Sequence, residues 1–216
     1  MKPGYGKIDG FRILKIYYFC YLRNEFKPLK SMADILEKKH TYTDYRNLDV
    51  DDDFIYELIN GELVQKNAPR PLHQRIVRKL LVAMNAHVEA NKLGEVFCAP
   101  VDVFLDEYNC PQPDLVFVSH AKKDTVTDDG IMAPPDLIVE IISPSSVKRD
   151  RTDKMKLYRK HRIAEYWLVD PNNTSVEIYT YAENDYDIHD FAAESGTVAS
   201  KVLAGFSLNI QDIFGT

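Results

Sequence analysis

The chain has 216 residues, of which 45% are hydrophobic and 28% charged, and these proportions are those of a soluble globular domain with a sizeable core. Its formal net charge of −6 argues against a strong, non-specific nucleic-acid binder. Cys20, Cys98 and Cys110 are odd in number and form no CxxC pair, which argues for reduced thiols in a cytosolic protein and against a zinc or disulfide framework.

Residues 1–31 differ in character from the rest of the chain. Residues 11–22 form an apolar run that is too short to span a bilayer, and no small-residue cleavage site accompanies it. We therefore expect residues 1–31 to be an N-terminal extension, poorly ordered or upstream of the true translation start. Residues 32–216 are expected to form a single domain, because no internal repeat, low-complexity tract or linker divides them.

The first elements of this domain are predicted to be a short helix and a β-hairpin. The helix is expected over residues 41–49. Two short strands, 56–59 and 62–65, flank Asn60-Gly61, and this dipeptide is the strongest short signal for a hairpin with a type I′ turn.

A long helix and a series of strands are predicted to follow. Apolar residues at helical spacing predict a helix over 71–91, ended by Gly94; they are Ile76, Val77, Leu80, Leu81, Met84 and Val88. A terminal strand or turn is expected near residues 202–214. The strands between them are expected at about 95–105, 114–118, 137–142, 165–170 and 175–182.

Three polar side chains of the early elements are candidates for accessory roles. Glu57 and Glu62 alternate with apolar residues on the hairpin, and either could approach a metal site as an accessory acid. Ordinary solvent-facing strand positions are the favoured explanation for both. His73, near the start of the long helix, could be a base or a metal ligand, or could simply cap the helix or contact the hairpin.

Two acids mark the middle of the predicted sheet. Asp114 follows Pro113 at the start of one strand, and Glu140 lies inside the next, between apolar residues that point to both faces. An ionised Glu140 in a strand covered on both sides costs several kcal/mol unless a metal, a lysine or a water pairs with it. The alternative is a Glu140 near the strand end, half exposed and salt-bridged.

The helix after that strand carries the spacing Asp150-x3-Lys154-x3-Tyr158. Steps of four keep the three side chains on one helical face, so Lys154 could lean back over the strand end near Glu140. The alternative is a surface ion pair between Asp150 and Lys154, worth a few tenths of a kcal/mol. For Tyr158 the simplest explanation is a core residue with its hydroxyl satisfied.

Two carboxylates on neighbouring strands with a cation close behind are what a metal-assisted phosphodiester hydrolase needs. The carboxylates hold Mg²⁺ through oxygen, and the ammonium steadies the water or the charge that develops on the phosphate. Asp136 lies about 13 Å from Glu140 at the usual strand rise, too far to share a metal ion with it. Asp114 and Glu140 are therefore the predicted metal ligands.

A basic segment accompanies these acids. Between Lys148 and Arg162 the sequence has eight Lys or Arg against two Asp, a local charge of +6. Such a helix could meet a phosphate backbone, and an ordinary solvated helix face explains it equally well.

Several blocks in a fixed order carry a resemblance to a known family. They are residues 56–63, His73-Gln-Arg-Ile-Val, Pro113-Asp114-Leu-Val-Phe-Val, residues 135–146 with Glu140, Asp150-x3-Lys154-x3-Tyr158, and residues 165–171. Over residues 40–215 the chain resembles the Uma-two family of restriction-endonuclease-like proteins, in the PD-(D/E)XK nuclease superfamily. The resemblance implies an α/β (α+β) fold with a mixed central sheet flanked by helices and an N-terminal β-hairpin.

The resemblance also implies the use of Mg²⁺ and a cytoplasmic location. We expect hydrolysis of DNA phosphodiester bonds with Mg²⁺ (or Mn²⁺) as cofactor, with Asp114 and Glu140 as catalytic metal ligands and Lys154 as the assisting cation. In the superfamily pattern, a lysine follows two residues after the acid on the same strand. In this chain the acid is Glu140, and Ile142 stands at the lysine position. The resemblance implies that Lys154 replaces it from the next helix. Candidate accessory residues are Glu62, His73, Asp150 and Tyr158.

Two alternatives belong to other functional classes. One is a catalytically silent member of the same fold that acts as a DNA-binding or protein-interaction module, which the missing strand lysine and the acidic pI favour. The other is a structural homodimer. Its interface would be built from aromatic residues of the last strands: Tyr166, Trp167, Tyr179, Tyr181, Phe206 and Phe214.

Overall fold

The computed structural model of this chain describes residues 39–48 and 55–215. The predicted extension at 1–31 lies outside the described residues. Within the described ranges, no helix has both the length and the apolar composition that crossing a membrane requires.

The elements begin with a short helix, a hairpin and a long helix. They are α1 (Tyr42–Arg46), β1 (Ile55–Ile59), β2 (Glu62–Lys66), α2 (Pro71–Asn91), β3 (Gly94–Cys98), β4 (Leu115–Ser119), β5 (Val126–Thr127), β6 (Gly130–Ile131) and β7 (Leu137–Ile141). A π-helical turn, Arg149–Lys154, runs into α3 (Met155–Lys160). The rest are β8 (Glu165–Asp170), β9 (Ser175–Ala182), β10 (Asp185–Ala193), β11 (Thr197–Ala199), β12 (Ser207–Asn209) and α4 (Ile210–Phe214).

Six strands form a mixed sheet in the order β10-β9-β8-β7-β4-β3. Among the strands that the structure describes in this sheet, only β7 and β8 pair in parallel, and the other four neighbouring pairs are antiparallel. A parallel pair needs a crossover connection, and the segment with the π-helical turn and α3 supplies it. The acids and the basic segment of the sequence therefore meet around the centre of the sheet.

Apolar residues cover the sheet on both faces. One face packs against α2, whose buried positions Ile76, Leu80, Met84 and Val88 follow the predicted helical spacing. The other face packs against α3 and includes Val116, Ile138, Ile142, Leu157, Tyr158 and Tyr166. All five residues of β7 are buried, which confirms the prediction of a central strand covered on both sides.

The β1–β2 hairpin matches its sequence signal. Asn60 and Gly61 have φ angles of 53° and 81°, and a type I′ turn requires positive φ at both positions. Backbone hydrogen bonds tie the hairpin to a loop: Leu58 N–H donates to the Cys110 carbonyl at 3.1 Å and Cys110 N–H to the Leu58 carbonyl at 2.8 Å. A further bond runs from Gly61 N–H to the Tyr108 carbonyl at 2.8 Å.

Some predicted boundaries were wrong. The strand expected over 95–105 ends at Cys98, and α2 ends at Asn91 with Lys92 in the left-handed region, so that Gly94 starts β3 instead of ending the helix. Gly94 is nevertheless required, because a Cβ there would collide with the Val118 carbonyl oxygen. The edge strand β10 was not predicted.

Candidate active site

Asp114 and Glu140 are cross-strand neighbours. In the antiparallel pair of β4 and β7, Leu115 lies opposite Val139 and Val116 opposite Ile138, so one further step places Asp114 opposite Glu140. Residues directly opposite each other share a face and have Cβ atoms about 4.5–5.5 Å apart. The Ile141 N–H donates to Asp114 Oδ2 at 2.7 Å, which locks this carboxylate beside Glu140.

The Glu140 carboxylate receives two hydrogen bonds from the helical segment. Lys154 Nζ donates to Glu140 Oε1 at 2.8 Å, and the Tyr158 hydroxyl donates to the same oxygen at 2.7 Å. Glu140 is 4% exposed and Lys154 2%. The two alternatives, a half-exposed Glu140 and a surface pair of Asp150 with Lys154, are therefore wrong, because the π-helical turn directs Lys154 inward onto the sheet.

A third carboxylate, Glu57 of β1, reaches the same ammonium. Glu57 Oε2 lies 3.1 Å from Lys154 Nζ and accepts the Gln112 N–H at 3.2 Å, while Oε1 lies 3.6 Å from Arg149 Nε. The expectation that Glu57 faces solvent is wrong: it is 0% exposed, because both faces of this end of β1 are covered. Glu62 is exposed on β2, so the structure does not bring this expected accessory acid to the site.

His73 and Asp150 flank the pair of acids. His73 Nε2 lies 3.1 Å from Asp114 Oδ2, so the start of α2 reaches over the sheet end to the site. Asp150 is buried beside Lys154, and its main-chain carbonyl accepts the Tyr166 hydroxyl at 3.1 Å. The structure thus gathers His73, Asp150 and Tyr158 around Asp114, Glu140 and Lys154.

Asp136 is remote from this cluster. Its Oδ1 lies 2.9 Å from Lys122 Nζ, and its Oδ2 accepts the Ser119 N–H at 2.8 Å. Both contacts fix the far ends of β4 and β7. Asp136 thus contacts Lys122 and Ser119 and none of the site residues that the structure describes.

Comparison with known proteins places the chain in a family. The family model Uma2, described as "Putative restriction endonuclease", matches residues 42–211. The chain belongs to the Uma2 family. A Synechocystis sp. protein named "Uncharacterized protein slr1290" is 27% identical over 133 residues, which are 60% of this chain and 67% of that protein.

A solved structure shares the fold of this Uma2 chain. It is the crystal structure of "a putative nuclease belonging to DUF820" from Anabaena variabilis, with a TM-score of 0.66 and 21% sequence identity. The match covers 81% of this chain and 97% of that one. The fold is therefore restriction-endonuclease-like, with a mixed sheet flanked by helices as the resemblance implied.

Burial and charge perturb both acids of the Uma2 site, in opposite directions. Burial and the nearby carboxylates of Asp150, Asp114 and Glu57 outweigh the opposing charge of Lys154 and raise the pKa of Glu140 to about 7. Burial also acts to raise the pKa of Asp114, but hydrogen bonds from His73 and Ile141 outweigh it and lower that pKa.

Neighbouring carboxylates raise the pKa values of Lys154 and His73, the two basic groups beside these acids. Burial disfavours the charged form of Lys154, yet Glu140, Glu57 and Asp150 together raise its pKa, so the group is an ammonium at neutral pH. Burial likewise opposes protonation of His73, and the hydrogen bond and charge of Asp114 outweigh it and raise the pKa of His73. The site is a pair of acids held by the buried Lys154 ammonium and by the partly buried His73.

The donor set suits a hard divalent cation. Within residues 39–48 and 55–215, the side-chain hydrogen bonds of Asp114 run to Oδ2 and those of Glu140 to Oε1, and none is described for Asp114 Oδ1 or Glu140 Oε2. No group of three or more His, Cys, Asp or Glu residues in the described ranges forms a metal cage. Mg²⁺ commonly binds through one or two carboxylates plus water and substrate phosphates, so the residues present fit this ion.

Ion pairs within the chain engage much of the basic segment. Arg151 lies 2.8 Å from Glu177, Arg159 lies 2.8 Å from Asp185, and Lys160 lies 2.9 Å from Asp106. Lys154 is buried in the site. Lys148, Lys156, Lys160 and Arg162 are exposed, and of these Lys160 is ion-paired, so only part of the local +6 is free at the surface.

Three of the six aromatic residues proposed for a dimer interface are buried in the core of this chain, and Tyr179, Tyr181 and Phe214 are partly exposed. Tyr166 and Trp167 are fully buried, and Phe206 is buried with them. The exposed large apolar residues of this region are instead Ile188 and Phe191, on the edge strand β10. Three of the six residues expected at a dimer interface are therefore buried within the chain, and a homodimer stays a prediction.

Proposed function

We propose that this protein is a metal-dependent nuclease that hydrolyses DNA phosphodiester bonds, with Asp114 and Glu140 holding Mg²⁺ or Mn²⁺ and Lys154 assisting. The observation that carries the proposal is the buried Lys154 ammonium, 2.8 Å from Glu140, whose cross-strand neighbour is Asp114. The description of the family, "Putative restriction endonuclease", supports DNA as the substrate.

Each residue has a separable task in this proposal. When bound, the divalent cation supplies Lewis-acid activation of the phosphate and lowers the pKa of a water. Lys154 places a fixed positive charge beside the carboxylate pair, where it stabilises negative charge that builds on the phosphate oxygens. Tyr158 and the Ile141 N–H act as positioning groups, because each hydrogen bond holds one carboxylate and leaves its second oxygen free.

Metal removal gives the first test of the proposal. We expect the protein to nick supercoiled plasmid DNA in Mg²⁺ or Mn²⁺ and to lose this activity in EDTA. Without the metal ion, the carboxylate pair has no Lewis acid to activate the phosphate. Restoring Mg²⁺ should restore nicking. Nicking that persists in EDTA would contradict the proposal, and metal binding without nicking of any DNA would favour the catalytically silent module.

The raised pKa of Glu140 predicts that Mg²⁺ binding depends on pH. A carboxyl with a pKa of about 7 must lose its proton to bind the cation, so affinity should rise by up to about tenfold per pH unit below pH 7 and level off above it. Asp114, whose pKa is lowered, is already ionised throughout this range.

Calorimetry in two buffers of different ionisation enthalpy measures this proton release directly. We expect release of close to one proton from Glu140 at about pH 6 and close to none at about pH 8.5. His73 also has a raised pKa, so His73→Gln separates its contribution and should leave the Glu140 proton in place. Binding that does not change over this pH range would contradict the assignment of Glu140.

A further inference from the structure

The hairpin carries a buried acid, Glu57, that the proposed metal site does not use. We propose that Glu57 is a positioning residue that holds the Lys154 ammonium in place for the reaction. This inference rests on the proposed function, and it extends that function by giving the β1–β2 hairpin a part in the active site.

The Lys154 ammonium lies between two carboxylates from different parts of the chain. Glu140 Oε1 of the central strand is 2.8 Å from Nζ, and Glu57 Oε2 of the hairpin is 3.1 Å from it. A lysine on a four-carbon stem has many rotamers, and a single contact leaves several of them open. Two carboxylate contacts from separate elements restrict the ammonium to one position.

Docking of the hairpin does not require this charge. The Leu58–Cys110 pair of backbone hydrogen bonds and the bond from Gly61 to Tyr108 already hold the hairpin on its loop, and Asn60 N–H donates to Asn109 Oδ1 at 2.7 Å. An ionised carboxylate in a fully buried position costs several kcal/mol unless it is paired, and an apolar residue would fill the space without that cost. A charged residue at position 57 therefore points to its partner, Lys154.

Among the described residues, the other contacts of Glu57 are with donors or cations. Oε2 accepts the Gln112 N–H, and Oε1 faces Arg149 Nε at 3.6 Å. Burial acts to raise the pKa of Glu57, but Lys154, Lys66 and Arg149 outweigh it and lower that pKa, so the group is a carboxylate. These surroundings suit a counter-ion for the cations of the chain.

Glu140 alone could not give Lys154 a constant counter-charge. Glu140 is also one of the two proposed metal ligands, so its charge is shared between the ammonium and the bound cation. Glu57 has no second role of that kind among its described contacts. It keeps the ammonium in place whether or not the metal site is filled.

The test compares two Glu→Gln changes on the same hairpin. Glu57→Gln keeps the shape of the side chain and removes its charge, and Glu62→Gln makes the same change at an exposed position of β2. We expect Glu57→Gln to lower kcat for plasmid nicking by about 10- to 100-fold with KM for DNA unchanged, and Glu62→Gln to leave both unchanged. Glu57→Asp, which keeps the charge on a shorter stem, should lie between them.

NMR spectroscopy can show whether Glu57 holds Lys154 in place, without an assay of activity. A buried, paired ammonium exchanges slowly with water, so ¹⁵N-labelled protein should show a Lys154 side-chain NH₃⁺ resonance, assigned by its loss in Lys154→Met. We expect Glu57→Gln to shift or broaden this resonance in metal-free protein, and Glu62→Gln to leave it unchanged.

The kcat for nicking and the Lys154 resonance together separate the positioning role of Glu57 from the proposed nuclease function. A Glu57→Gln protein with wild-type kcat, or with an unchanged Lys154 resonance, would overturn the positioning role. A general loss of structure would lower the melting temperature and shift many resonances, and Glu57→Asp then provides the comparison. If the wild type cleaves no DNA, the proposed function fails, while the Lys154 resonance still decides whether Glu57 holds the ammonium.

Discussion

Asp114→Asn is expected to abolish metal-dependent DNA cleavage, with a loss of about a thousandfold or more, equivalent to about 4 kcal/mol of transition-state stabilisation. Asparagine keeps the size of the side chain and an oxygen that can accept the Ile141 N–H, but it removes one of the two negative charges that hold the cation. We expect the variant to remain folded, because its closest partners are one backbone N–H and His73.

The matched control is Asp136→Asn. Both acids follow a proline at a strand start, and Asp136 instead contacts Lys122 and the Ser119 N–H away from the site. Initial nicking rates at saturating Mg²⁺ should show wild-type activity for Asp136→Asn and none for Asp114→Asn, with melting temperatures measured on the same samples. A wild-type rate for Asp114→Asn would remove Asp114 from the site.

Lys154→Met is expected to affect both activity and stability. The variant keeps the length of the side chain but leaves Glu140 and Glu57 buried without their ammonium, and breaking a buried pair in this way costs about 3–5 kcal/mol of unfolding free energy. Cleavage should also fall by about a hundredfold or more, because the fixed positive charge at the phosphate is lost.

The stability loss of Lys154→Met should depend on pH with a definite sign. Without the ammonium the pKa of Glu140 rises further, so the folded state holds a proton that the unfolded state releases above its ordinary pKa of about 4.3. Stability therefore increases as pH falls, and it is lost as pH rises through the folded pKa. Urea unfolding at about pH 5 and about pH 8 measures the difference.

Lys156→Met controls for the loss of a lysine from the same segment. Lys156 is exposed, and we expect its replacement to change stability by no more than about 0.5 kcal/mol at either pH. If Lys154→Met were as stable as Lys156→Met at the higher pH, the buried pairing of Lys154 with the two acids would be wrong.

Local sequence signals were sufficient to predict the strand and helices that carry the residues of the site. Apolar residues on both faces predicted β7 as a central strand, and helical spacing predicted α2. Steps of four placed Lys154 and Tyr158 on one side, where both contact Glu140. The π-helical turn at Arg149–Lys154 leaves no mark in the apolar pattern, so the depth of Lys154 was not predictable from spacing.

The burial of Glu57 and the edge strand β10 were not predicted, because both depend on contacts between separate segments of the chain. Glu57 is buried because β1 docks through Leu58 on Cys110, residues far apart in the chain, and nothing in the hairpin sequence reports that contact. The position of Glu57 inside a largely apolar run was the sequence signal that could have indicated its burial. The edge strand β10 alternates acids with apolar residues and is mostly exposed, a pattern that resembles a polar loop when no partner strand is known.

The most direct test of the central claim is calorimetric titration of Mg²⁺ into wild type and into the double variant Asp114→Asn/Glu140→Gln, with plasmid nicking on the same samples. We predict that the wild type binds Mg²⁺ and nicks DNA and that the double variant, still folded, does neither. Mg²⁺ binding of equal strength in both proteins, or nicking by the double variant, would contradict the assignment of the metal-dependent site to Asp114 and Glu140.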